Sequence, residues 1–165
     1  MQKTRIWKKE GWTNMKKCLF ITAFLWMVLD QVSKYLLEGK FAVLIPGVVN
    51  LTTAYNEGVA MSMLSGAGIW LILLTLAITA AGFYFAARYA KGFLAAFSAG
   101  IVLGGAVGNL IDRIAYGYVV DLFEFTFVDF YIFNVADIGI TCGAVLCAVS
   151  ILFFEKRDWK GKEEA

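Results

Sequence analysis

The chain has no histidine among its 165 residues. That absence removes Ser–His–Asp and Cys–His nucleophilic catalysis. It also removes the histidine ligands on which zinc hydrolases depend. Acid–base work near neutral pH must fall to other groups. Proline occurs once, at Pro46, so there is no Pro-rich linker, and no internal repeat or low-complexity segment is visible. The three cysteines, Cys18, Cys142 and Cys147, sit in or beside apolar runs and form no CxxC pair. They read as small residues packing between helices rather than as a metal or redox site. No glycine-rich loop leads into a Lys-Ser/Thr pair, so phosphate-loop chemistry is also absent. A Ser–Lys dyad is disfavoured because Ser33 and Lys34 are adjacent and point to different helix faces.

What is present is apolar. Hydrophobic residues make up 60% of the chain and charged ones 17%. That balance indicates an integral membrane protein forming one domain. A bilayer crossing needs roughly 20 residues, and four segments provide them, at about 18–37, 68–88, 93–112 and 136–154. The first follows a basic stretch, as a signal peptide would, but no Ala-x-Ala-like site ends it, so it reads as a retained span.

Charge orients the spans. Lys3, Arg5, Lys8, Lys9, Lys16 and Lys17 precede the first, and Lys156, Arg157, Lys160 and Lys162 follow the fourth. Arg88 and Lys91 flank the turn between the second and third. Segments 38–67 and 113–135 hold one basic residue each, Lys40 and Arg113. The positive-inside rule places both termini in the cytoplasm, residues 1–17 as a basic tail, and the two basic-poor segments outside. It accounts for the basic clusters without a nucleic-acid partner. In segment 38–67, Phe41 to Thr53 reads as two short strands around Pro46-Gly47, and residues 58–65 as a short interfacial helix. The expected fold is thus a four-helix membrane bundle with a small outer sheet above it. Gly100, Gly104 and Gly108 share one face of the third span and allow another helix close approach.

The polar residues gather at the outer end, and each has a bland reading beside a functional one. Asp30 and Lys34 make an i,i+4 ion pair, or they orient substrate. Asn56-Glu57-Gly58 is a turn, or it presents an amide to a peptide carbonyl. Asn109, Asp112 and Arg113 close a helix with a local salt bridge, or they form a polar scaffold. Asn134 caps the fourth span with Asp137 three residues later, and Asp121 is a solvated loop acid. Alternatively, Asp121 and Asp137 converge as a dyad sharing one proton, because two adjacent carboxylates cannot both ionise. Ionisable groups near membrane depth are usually functional. An aspartyl hydrolase acting at the bilayer surface fits best. A proton-coupled transporter would want polar groups through the midplane, and an inactive binding protein on the same fold stays open.

Taken in order, Asp30-Gln31-Val32-Ser33-Lys34, Asn56-Glu57-Gly58-Val59-Ala60, Gly104-Gly105-Ala106-Val107-Gly108-Asn109-Leu110-Ile111-Asp112-Arg113, Val119-Val120-Asp121 and Phe133-Asn134-Val135-Ala136-Asp137 resemble the motifs of bacterial lipoprotein signal peptidase, or signal peptidase II. The resemblance implies an intramembrane aspartic endopeptidase of the bacterial cytoplasmic (inner) membrane. It would cleave prolipoproteins just before a cysteine carrying diacylglycerol, need no metal or other cofactor, and be inhibited by globomycin-type cyclic peptides. The implied fold is four transmembrane helices with a small extracytoplasmic β-cradle. By motif, Asp121 and Asp137 would be catalytic. Asp30, Lys34, Asn56, Asn109, Arg113 and Asn134 would shape the site, with Gly108 and Asp112 as structural support. The family's Asn-x-Gly-Ala-Ala-Phe stands here as Asn56-Glu57-Gly58-Val59-Ala60-Met61, which alters the packing of that loop but keeps the asparagine.

Overall fold

The computed structural model describes residues 2–58 and 68–155, with side chains from residue 12 to residue 153 outside that gap. The expected interfacial helix near 58–65, the Val59 and Met61 departures and the basic C-terminal residues therefore lie outside the described residues. The described residues form four helices and a three-stranded sheet: α1 (Gln2–Leu37), β1 (Ala42–Ile45), β2 (Val49–Asn56), α2 (Gly68–Tyr89), α3 (Phe93–Tyr116), β3 (Val119–Phe125) and α4 (Val135–Ser150), the last extended by a π-helical turn, Ile151–Glu155. Among the described residues four helical stretches are long and apolar enough to cross a membrane: Trp12–Leu37, Gly68–Tyr89, Phe93–Tyr116 and Val135–Phe153. Helix α1 starts well before the span expected from residue 18.

Helix α3 is the hub, packing against α1, α2 and α4. Its small residues explain why. A Cβ on Gly100 would lie 2.7 Å from the carbonyl oxygen of Leu19, and one on Gly104 would collide with that of Ala23. On another face of α3, a Cβ on Gly105 would lie 2.5 Å from the carbonyl oxygen of Ala136 in α4. In lipid there is no water to expel between helices, so close backbone approach and polar contacts must hold them. Helix α2 is different: only Leu71 and Thr79 are buried along it, and Ile69, Trp70, Leu73, Leu74 and Ile78 face outward. Its described contacts are mainly with α3, and little joins it to α4, so a cleft runs between α2 and α4 over α3.

The two strands expected around Pro46-Gly47 are present, and a third was not anticipated. The sheet is antiparallel in the order β1-β2-β3. Helix α3 ends at Gly117, whose φ of 83° suits glycine and whose N–H donates to the Arg113 carbonyl at 3.1 Å. Two residues later the chain has become β3. Val120 and Leu122 turn one way, into an apolar cluster with Leu51, while Val119 and Asp121 turn the other way. Beyond β3 the chain folds back so that Phe133 exchanges backbone hydrogen bonds with Phe123 at 2.8 and 2.9 Å, delivering Asn134 beside Asp121.

Candidate active site

Sheet register brings the first pair together. Asn56 lies opposite Val119, and Asp121 is two residues along the same strand face. The Asn56 amide donates to Asp121 Oδ2 at 3.2 Å, while its own Oδ1 accepts the Gly58 N–H at 3.0 Å. The Asn56-Glu57-Gly58 segment forms the expected Asx-type turn, and the amide expected to face a peptide carbonyl donates to Asp121 instead.

Helix α4 brings the second acid. Asn134 caps it in a reciprocal box: Asn134 Oδ1 accepts the Asp137 N–H at 3.0 Å, and Asp137 Oδ2 accepts the Asn134 N–H at 3.2 Å. The remaining amide group of Asn134 donates to Asp121 Oδ1 at 2.7 Å. One buried asparagine thus caps the helix and holds both acids. Asp121 is not a solvated loop acid; it sits on a strand and is 3% exposed. Burial, then the negative charge of Asp137, pushes its carboxyl up to about 7, against the hydrogen bonds from Asn56 and Asn134.

Behind the aspartates lies a buried ionic cluster. Lys34 Nζ meets Asp30 Oδ2 at 2.8 Å, Asp112 Oδ2 at 2.8 Å and Asn109 Oδ1 at 3.0 Å, which occupies all three ammonium donors. Asn109 then turns its amide to Asp137 Oδ1 at 2.9 Å. Asp30 also accepts the Ala136 N–H at 2.8 Å, and Asp112 the Val120 N–H at 3.1 Å, so the cluster pins the start of α4 and of β3 to α1 and α3. The i,i+4 pairing of Asp30 with Lys34 is real and is one arm of this scaffold. The local Asp112–Arg113 salt bridge considered for the end of α3 is not formed. Arg113 donates instead to the Gly58 carbonyl at 2.9 Å, tying the turn at the end of β2 to α3. Gly108 makes room for Asp30, whose carboxylate a Cβ there would strike.

Two contributors were passed over at the sequence level. Gln31 donates to Asp112 Oδ1 at 2.8 Å and to the Gly108 carbonyl at 3.1 Å. The cost of an amide at membrane depth was the available signal. Tyr131 lines the site from the segment before α4, and nothing in its aromatic surroundings marked it.

The acids open into a cavity of about 260 Å³ at the head of the α2–α4 cleft. Asn56, Arg113 and Tyr131 rim it, Leu71 and Thr75 line its α2 side, and Asp121 and Asp137 face it. Among the described residues no group of three or more Cys, Asp or Glu side chains is arranged to hold a metal ion. The arrangement suits an acid–base pair acting on a water and an amide carbonyl in a site partly shielded from solvent.

The chain also has known relatives. The family model described as "Signal peptidase (SPase) II" matches residues 22–153. A lipoprotein signal peptidase from Lactobacillus johnsonii is 35% identical over 156 residues, covering 88% of this chain and 99% of the relative. One from Ralstonia nicotianae is 40% identical over 138 residues, covering 78% and 80%. Two solved structures described as bacterial membrane enzymes superpose with TM-scores of 0.75 and 0.73 at 32% and 31% identity, covering 81% and 82% of this chain and 87% and 93% of theirs.

Proposed function

The chain belongs to the signal peptidase II family, aspartic-type peptidases that remove signal peptides from prolipoproteins, and from that premise we propose that Asp121 and Asp137 are its catalytic dyad. The observation that carries the assignment is Asn134, which binds both acids at once. The protein is a multi-pass bacterial membrane protein. With its termini in the cytoplasm, the cavity opens toward the extracytoplasmic face, on the same side as the basic-poor segments.

In the mechanism the dyad holds one proton. The unprotonated carboxylate takes a proton from water, and the water oxygen attacks the scissile carbonyl carbon. The protonated partner donates a hydrogen bond to the carbonyl oxygen as negative charge develops there, and a proton passes to the leaving nitrogen as the C–N bond breaks. Asn56, Asn109 and Asn134 fix the carboxylate planes; Lys34, Asp30 and Asp112 fix Asn109. The pair titrates together, so the proton belongs to both. The substrate is a prolipoprotein whose cysteine after the cleaved bond carries a diacylglyceryl group, and globomycin-type cyclic peptides compete for the cavity.

Cleavage of a diacylglyceryl-modified prolipoprotein peptide by purified protein in detergent tests this, beside Asp121→Asn and Asp137→Asn. Cleavage before the lipidated cysteine by wild type, reduced by about 10³-fold or more in each variant, is expected. Near-normal processing by either folded variant would remove that residue from the dyad.

A further inference from the structure

The end of the bundle away from the acids holds a larger space. A cavity of about 360 Å³ opens there between the last turn of α2, the start of α3 and the far end of α4. It shares no lining residue with the cavity of the dyad. From Thr75, which lines that first cavity, to Tyr89, which lines this one, is roughly 21 Å along α2.

The walls of this space are apolar. Ala95 and Ala99 floor it from α3, and Ile151 closes one side. Cys147 adds a sulfur, but its thiol is turned to Ser98 Oγ at 3.1 Å. The mouth is basic. Lys91 and Tyr89 line it, and the Arg88 guanidinium lies over the Tyr89 ring at 5.3 Å. Lys91 and Arg88 are both exposed. Among the described residues no Asp or Glu stands at this end of the bundle, and the ion pairs are those of Lys34 at the other end.

A ligand for this place needs a negative head and a hydrocarbon body. On the proposed orientation the mouth faces the cytoplasmic leaflet, whose surface is anionic. A signal peptide lying in the cleft is the other apolar candidate, but it begins with a positively charged segment, which these cations repel. We propose that the cavity binds an anionic phospholipid of that leaflet, with an acyl chain against the alanines and the phosphate between Lys91 and Arg88. Arginine forks onto phosphate oxygens and lysine meets them as a point charge, so the pair selects charge rather than chain. The consequence is mechanical. Little protein contact joins α2 to α4. A lipid seated here touches both helices and braces the cleft at the end opposite the dyad. The site goes beyond the peptidase reading and does not depend on it.

The test uses full-length protein purified in mild detergent and freed of lipid. It is titrated with phosphatidylglycerol or with phosphatidylcholine of the same chains, and binding is read by native mass spectrometry and thermal unfolding. Phosphatidylglycerol should be retained and should raise the melting temperature by about 3 °C or more at roughly 100-fold excess over Kd. Phosphatidylcholine should do neither. Lys91→Gln, at an exposed position, should weaken phosphatidylglycerol binding about 5-fold. Ala95→Phe narrows the cavity and, in folded protein, should abolish retention. Equal retention of the two lipids, or phosphatidylglycerol binding unchanged in Lys91→Gln or in folded Ala95→Phe, would overturn the assignment. Displacement of the lipid by a synthetic signal peptide would overturn it too, and would give the cavity to the peptide.

Discussion

The ammonium of Lys34 lies 3.0 Å from the amide oxygen of Asn109, and this contact decides which way Asn109 faces. Lysine only donates, so the amide oxygen must turn inward and the amide nitrogen outward, onto Asp137 at 2.9 Å. A buried ammonium thus orients the amide that binds the Asp137 carboxylate.

Removing Lys34 is therefore expected to cost stability as well as rate. Lys34→Met would leave Asp30 and Asp112 buried without their cation, a loss of about 3–5 kcal/mol. Thermal unfolding in detergent reads it directly. A melting temperature equal to wild type would mean that the cluster is not ionic as described.

Asn134 separates folding from catalysis. Asn134→Ala loses the cap of α4 and the contact to Asp121, with about 1–2 kcal/mol of destabilisation. Asn134→Ser keeps a capping oxygen but cannot also reach Asp121. Its stability should lie much closer to wild type, while cleavage falls by about 10²-fold in both. Parallel melting and turnover measurements distinguish the two roles, and full activity in Asn134→Ser would refute the Asp121 contact.

Activity should fall on the alkaline side of about pH 7. Asp121 is raised to about 7, so the dyad keeps its proton below that pH and loses it above. The Asn56 hydrogen bond favours the charged carboxylate. Asn56→Ala should move the alkaline limb upward by about 0.5–1 pH unit. The linkage to stability has the same sign: a carboxyl raised from 3.8 to about 7 contributes most below the lower value and loses its contribution as pH rises through the upper. A downward shift of the limb in Asn56→Ala would contradict this electrostatic account.

Helix packing gives a fourth expectation. Gly104→Ala would drive a Cβ against the Ala23 carbonyl, whereas Gly68→Ala meets nothing within 4 Å. The first should lose about 1–3 kcal/mol or fail to accumulate, and the second should stay within about 0.5 kcal/mol of wild type. Expression level and melting temperature of the two variants decide it.

The spans were readable because a bilayer imposes a length on apolar runs, and the glycine row because four-residue spacing puts it on one helix face. Every candidate site residue, from Asp30 to Asp137, lies in or against the polar end of the bundle. Strand β3 was not readable: Val119–Phe125 has apolar residues on both sides of Asp121, since one face meets Leu51 and the other the cavity, and the alternation that marks a half-exposed strand is missing. The partners were not readable either. Arg113 stands next to Asp112 in sequence yet binds the Gly58 carbonyl, and Gln31 reaches Asp112 across two helices, because direction and rotamer, not spacing, choose the acceptor.

The cap on α4 has a consequence for biosynthesis. Asp137 and the asparagine that positions both acids stand at the start of α4, the last of the four described helices, while Asp121, Asn109 and Lys34 are made before it. Until α4 is inserted and Asn134 closes its box, one acid is missing and the other lacks its shortest hydrogen bond. On the proposed dyad, a nascent chain therefore lacks its second acid until α4 docks against α3.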